Sequence, residues 1–162
     1  MKERTNLPNL FEWQAEKIEE AARNLAFWVS ATPEDRLSWQ PKAEGLETVA
    51  RTIYDQIHEC SQVNRRFANV LRGIENGPWT ENPPYFCSSE AESDLKASAT
   101  ELATVVKGLD DDSLDRDYPT GKRSMKGSFM ISLALNNMYY HGGQVNLIQM
   151  LLGDGEFRFP TD

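Results

Sequence analysis

Apolar residues recur at three- and four-residue spacing in four long segments, separated by stretches rich in Pro, Gly, Ser and Asp. In the first, about Leu10 to Ser30, residues Ile18, Ala21, Ala22, Leu25, Trp28 and Val29 share one side of a helix. Thr32-Pro33 then predicts an N-cap and a first helical position for the short turn TPEDRL. The segment SWQPKAEGLE leads into a second helix, about Leu46 to Arg72, with Val49, Ile53, Ile57, Cys60, Phe67 and Leu71 on its apolar side and Gly73 as C-cap. Three prolines exclude a helix from ENGPWTENPPYF. A third helix is predicted from Ser88 or Ser89, where Ser89 and Glu92 have capping-box spacing, to Gly108. Leu95, Leu102, Val105 and Val106 give it an apolar side. After a polar loop whose acidic run LDDDSLDRD reads as solvated, a fourth helix spans about Ser128 to Leu152.

Four such helices and no strand-like alternation predict an all-α fold, most simply a four-helix bundle, with residues 1–162 as one domain. The longer loops leave room for a crossover connection.

The fourth helix contains NNMYYHGGQVNLIQMLLG, in which the apolar pattern is interrupted. A stripe through Met130, Leu133, Ala134, Asn137, Tyr140, His141, Gln144, Ile148, Leu151 and Leu152 carries two amides and an imidazole on a face expected to meet other helices. A buried amide or imidazole without a partner costs about 1–3 kcal/mol. Gln56, and Asn64 near it, are candidate partners on the second helix. The cluster Gln56, Asn137, Tyr140, His141 and Gln144 is therefore the candidate ligand pocket, able to satisfy itself or to hold a water, a ligand or a metal ion. A histidine on a helix face is most often an ordinary hydrogen-bonded group. Gly142-Gly143 suggests either a close approach by another element or a local break, because each mid-helix glycine costs about 1 kcal/mol relative to Ala. His58, the only other histidine, is about 200° from Gln56 around the helix and is expected to face solvent. Cys60 reads as a small hydrophobe, Trp39 and Trp79 as residues packing loops onto the bundle, and Tyr139 as outward-facing or at a dimer contact.

Composition narrows the function. Apolar residues make up 40% and charged residues 26%, ordinary for a globular chain. The net charge of −8 disfavours nucleic-acid binding. No apolar run spans a bilayer, and MKERTNLPNLFEW lacks the apolar core of a signal peptide, so neither a membrane role nor export is expected. Two cysteines, Cys60 and Cys87, make no disulfide framework, although one bridge stays open; a reduced, cytoplasmic setting is expected. No P-loop, dinucleotide glycine pattern, Ser-His-Asp arrangement or CxxC is present.

The segment NNMYYHGGQVNLIQMLLG resembles the last helix of the DinB-like family, with its His-x-x-x-His-x-x-Gln pattern followed by an apolar run and Gly. LSWQPKAEGLETVARTIYDQIHE resembles that family's entry into the helix that supplies a third ligand. The resemblance covers nearly the whole chain. It implies a four-helix bundle with a long crossover connection, a homodimer, and a site where three histidines hold zinc or nickel for thiol transfer, isomerisation or hydrolysis. Of those three positions only His141 keeps its imidazole; Asn137 and Gln56 stand at the others, and a slip of two residues would bring His58 to the position of Gln56. Gly143-Gln144 matches the Gly-Gln that follows the second histidine. The resemblance thus implies a degenerate metal site with no metal at full occupancy and no cofactor, serving an unknown small molecule or a scaffold role. The alternative is an enzyme that recruits Zn or Ni through His141, His58 and an acid such as Asp55 or Glu59, or works without metal.

Overall fold

The computed structural model describes residues 9–42, 51–121, 123–156 and 158. The chain forms α1 (Leu10–Ser30), a 3-10 turn (Glu34–Arg36), α2 (Ile53–Leu71), α3 (Ser88–Lys107), α4 (Asp111–Asp115), β1 (Asp117–Pro119), β2 (Ser124–Lys126) and α5 (Gly127–Leu151). The four long helices make the expected all-α bundle. The acidic loop departs from expectation. Asp110 caps α4 by accepting from the Ser113 amide at 2.9 Å. The chain then forms a two-stranded hairpin that pairs Tyr118 with Met125. Gly121, at φ +80°, supplies the left-handed residue of its turn. Strands of three residues are too short to show alternation.

The helix starts are set by side chains that satisfy free amides. Asn9 with Glu12 caps α1, and Thr52 with Asp55 caps α2, each as a reciprocal capping box. Residues 51 and 52 therefore precede α2, later than the predicted start at Leu46; residues 43–50 lie outside the described residues. The Ser89–Glu92 box does not form. Cys87 occupies the cap position of α3 without a side-chain bond, and Glu90 reaches back to the Phe86 amide at 2.8 Å. Pro33, not Thr32, sits at the cap of the short turn. The Thr32 hydroxyl instead donates to the Trp28 carbonyl at 3.0 Å.

Helix α1 packs on α3 and α5, and α2 packs on the same two, so α1 and α2 lie on one diagonal. Paired residues give the directions. Asn64 meets Ser98 and Arg72 meets Glu101, so α2 and α3 are parallel. Gln56 meets His141 and Asn64 meets Met138, so α5 is antiparallel to α2. Parallel neighbours need a connection that travels the length of the bundle, and residues 72–87 are that crossover. The core is built from Ile18 and Leu25 of α1, Ile53 and Ile57 of α2, Leu95 and Leu102 of α3, and Met130, Ile131 and Met138 of α5, all fully buried. Each such side chain contributes about 1.5–3 kcal/mol of burial. No helix among the described residues is long and apolar enough to cross a membrane.

The two central glycines of α5 have different reasons. Gly142 is buried under the Trp28 ring of α1, and a Cβ there would overlap that ring. A Cβ on Gly143 would meet nothing within 4 Å. Gly142→Ala should therefore destabilise the protein. Overpacking costs about 1–3 kcal/mol, while better helix propensity returns about 1 kcal/mol. The overlap with the Trp28 ring is severe, so a net loss toward the upper end, about 2 kcal/mol, read as a lower urea midpoint at unchanged slope, is the expected result.

Candidate functional site

The phase of α5 decides which side chains it delivers to the interior. Its buried residues include Met130, Ile131, Ala134, Met138, His141, Gly142, Val145, Ile148 and Gln149. His141 is on this face, as expected. The face is otherwise rotated from the predicted stripe: Asn137, Gln144 and Leu133 are half-buried at its edge, and Tyr140 and Leu151 are exposed. Tyr140, 64% exposed, is thus not inside the cluster; its ring stands edge-on to the His141 ring from outside, centroids 5.2 Å apart. The inner face is fixed by Gly142 under Trp28 and by Gln149. The Gln149 amide donates to the Trp28 carbonyl at 2.8 Å and to the Thr32 hydroxyl at 2.9 Å, closing the end of α1.

At the centre, Nδ1 of His141 meets the Oε1 atoms of both Gln56 and Gln144, the latter at 3.0 Å. Both are amide oxygens and only accept, so Nδ1 carries the proton and donates to them. The lone pair is then on Nε2. That nitrogen lies 3.2 Å from Oε1 of Glu59 but makes no hydrogen bond, and Oδ1 of Asn137 is likewise buried without a partner. Glu59 is ion-paired with Arg51. Burial pushes the pKa of His141 down to about 4, so the ring is neutral at neutral pH. The contact with Gln144 opposes this shift, and the positive charge of Arg51 adds to it.

His58 does not face solvent, contrary to the sequence reading. It is 8% exposed because the crossover folds back over it. Its Nε2 lies 3.0 Å from the Thr80 hydroxyl, and its ring meets Tyr85 edge-on at 5.9 Å. Gln62 fastens the crossover by donating to the Thr80 carbonyl at 2.7 Å. Between α2 and this strap is a cavity of about 530 Å³. Asp55, His58, Glu59 and Gln62 line it from α2 and Trp79, Thr80 and Glu81 from the strap, together with Arg51 and Gln40. Glu59 belongs both to this cavity and to the His141 contact. Trp79 is 44% exposed and carries Arg66 over its ring, whereas Trp39 packs against the core.

Cys60 and Cys87 are free. Burial raises the Cys60 pKa, so its thiol is neutral and packs as a small hydrophobe. Sequence reasoning missed the buried Asn64–Ser98 bond (3.2 Å) between α2 and α3 and the cap made by Gln149. No periodicity marks either one.

A search of solved structures finds a DinB-like protein, YjoA of Bacillus subtilis, at TM-score 0.63 and 14% identity, covering 91% of this chain and 96% of that one. The chain has the DinB-like fold. No family model matches it, and no curated protein matches it in sequence. Within this DinB-like bundle, positions 56 and 141 meet between α2 and α5, with 137 one helical turn away. A three-imidazole metal centre does not fit these residues. His141, with its lone pair on Nε2, is the one imidazole in the cluster, His58 is bonded to the Thr80 hydroxyl instead, and no three His, Cys, Asp or Glu side chains among the described residues are grouped to hold a metal ion. Amide oxygens are also poor substitutes for imidazole on zinc or nickel.

The neutral, buried ring predicts a pH dependence. The folded pKa is depressed, so the unfolded chain binds more protons between the two pKa values, and stability is lost as pH falls from about 6.5 toward about 4. Going from about pH 7 to about pH 5 should cost about 2 kcal/mol from this group. Urea midpoints at the two pH values should show the loss, and His141→Gln should flatten it.

Proposed function

We propose that this chain is a small-molecule-binding protein built on a DinB-like bundle whose metal cage is degenerate. Amide–imidazole hydrogen bonds occupy the place of the metal. The observation that carries this reading is the double acceptance of Nδ1 of His141 by Gln56 and Gln144. Those contacts hold the imidazole through Nδ1 alone, and leave Nε2 of His141 and Oδ1 of Asn137 buried without a hydrogen-bond partner. The cavity beside α2 is the binding site in this reading. Its volume of about 530 Å³ suits a small molecule. Asp55, Glu59 and Glu81 outnumber Arg51 among its lining charges, which favours a ligand with a positive charge or several hydrogen-bond donors. Glu59, one of these lining carboxylates, also lies 3.2 Å from Nε2 of His141. The working unit in this reading is a homodimer, as the resemblance to the DinB-like family implies.

Two measurements test this reading. Protein purified without added metal should contain no stoichiometric zinc or nickel by elemental analysis. The double substitution Gln56→His with Asn137→His should rebuild three imidazoles around one point and bind zinc at least about a hundredfold more tightly than the parent. Stoichiometric metal in the parent that is lost on His141→Ala would overturn the degenerate-site reading, and so would a double variant with no gain. For the cavity, small primary amines should raise the melting temperature while matched carboxylates do not, and Glu59→Gln should abolish the shift. Equal shifts from both series would remove the assigned ligand class.

A further inference from the structure

The cavity between α2 and the crossover is uneven both in charge and in hydrogen-bonding groups. Asp55, His58, Glu59 and Gln62 share one face of α2 at steps of three, one and three, and Glu81 joins them from the strap. Among the described lining residues, three carboxylates meet one guanidinium, and Arg51 is already paired with Glu59. Asp55 uses only Oδ2 to cap α2, accepting from the Thr52 amide at 2.7 Å and the Thr52 hydroxyl at 2.8 Å. Asp55 and Glu81 thus carry charge that no ion pair among the described residues answers.

The donors, by contrast, are engaged in holding the strap. Gln62 donates to the Thr80 carbonyl at 2.7 Å, and the Thr80 amide and hydroxyl donate back to Oε1 of Gln62 at 3.0 Å and 2.9 Å. A hydroxyl has one proton, so the Thr80 oxygen accepts from Nε2–H of His58 at 3.0 Å. The His58 lone pair is then on Nδ1, which is buried without a partner. Burial lowers the pKa of His58 and keeps that lone pair free of a proton. These residues leave acceptors over: Oδ1 of Asp55, the Glu81 carboxylate and Nδ1 of His58. Trp79 adds an apolar surface that suits alkyl chains and cations alike.

We propose that this cavity takes a linear aliphatic diamine, with one ammonium on Asp55, the other on Glu81 and the carbon chain along Trp79. The proposal rests on the small-molecule reading of the cavity above and names the ligand class. Two unanswered carboxylates call for two positive charges, because a single ammonium leaves one of them unpaired. Each ammonium brings three donors and no acceptor, which matches what the lining leaves over. A divalent metal ion answers the same charge but needs several oxygen ligands around one point. No three His, Cys, Asp or Glu side chains among the described residues are grouped in that way. The two carboxylates come from different elements, so a ligand charged at both ends can join α2 to the strap.

Isothermal titration calorimetry of the full chain tests this with putrescine, cadaverine and hexamethylenediamine against butylamine, pentylamine and hexylamine. The best diamine should bind about tenfold more tightly than the monoamine of the same length, because its second ammonium binds intramolecularly. Glu81→Gln should bring the diamine down to the monoamine's affinity and leave the monoamine unchanged. Glu81 is exposed and caps no helix, so this variant should keep the parent's helical circular dichroism. Removing one charge from a chain that carries −8 barely alters non-specific attraction, so a loss of this size reports the site. Diamines that bind no better than monoamines overturn the proposal and leave the cavity's selection of amines standing. A Glu81→Gln variant with parental diamine affinity also overturns it. If neither series binds, the cavity reading itself falls, and the proposal with it.

Discussion

The imidazole of His141 is buried where water does not reach it, and the candidate site is organised around that constraint. A neutral ring has one donor and one acceptor. Gln56 and Gln144 take the donor from two helical turns at once, which fixes the tautomer and leaves the lone pair on Nε2 toward Glu59. Amides serve this purpose well and metal binding poorly. They accept from Nδ1 without bringing charge into the bundle, where a charged group would need its own compensation. Glu59, whose carboxylate lies 3.2 Å from Nε2, is already engaged by Arg51.

The cavity next to this cluster is a product of topology. Glu34 accepts from the Tyr54 hydroxyl at 2.7 Å and from the Ser88 amide at 2.9 Å, which holds the starts of α2 and α3 at the same end of the bundle. With those starts together, the chain leaving α2 must return along its whole length. The returning segment 72–87 is then pressed against the outer face of α2 by Gln62, Thr80 and the pairing of Arg66 with Gly77 (2.9 Å). That strap buries His58 and forms the second wall of the cavity. One connection imposed by parallel helices thus supplies both features.

The same physics explains which parts were legible in the sequence. Helix α1 was readable to its ends because its exposed positions are largely polar and its buried ones apolar, so periodicity defined both phase and length. Helix α5 was readable as a helix but not in phase. With apolar residues on opposite sides and no charges, it offers two stripes of equal plausibility, and Tyr140 was placed on the wrong one. His141 survived the error because it lies within both the predicted and the observed inner faces. His58 was misplaced for a different reason: a helical wheel knows only its own helix, and the cover over His58 comes from residues more than 20 positions later. The hairpin of Tyr118 and Met125 and the Asn64–Ser98 bond depend on pairings too local or too distant for periodicity to register.

The two sides of α5 have the same repeat. Inside, Gly127, Ile131, Ala134, Met138, His141, Val145 and Ile148 are buried and also advance by four and three. Phe129, Leu133, Asn136, Tyr140, Gly143, Leu147 and Met150 form an outward series, each two positions after one of these and about 200° around the helix. Because both series keep the same period, they stay opposite along the whole helix, and supercoiling that improves one seam carries the other with it. Each seam also has one polar group near its centre where a leucine would pack better, His141 inside and Asn136 outside. In seams of this kind a lone polar residue lowers stability and fixes register. On the inner side that role is visible, since Gln56 can reach the Nδ1 of His141 in only one alignment of α2 on α5.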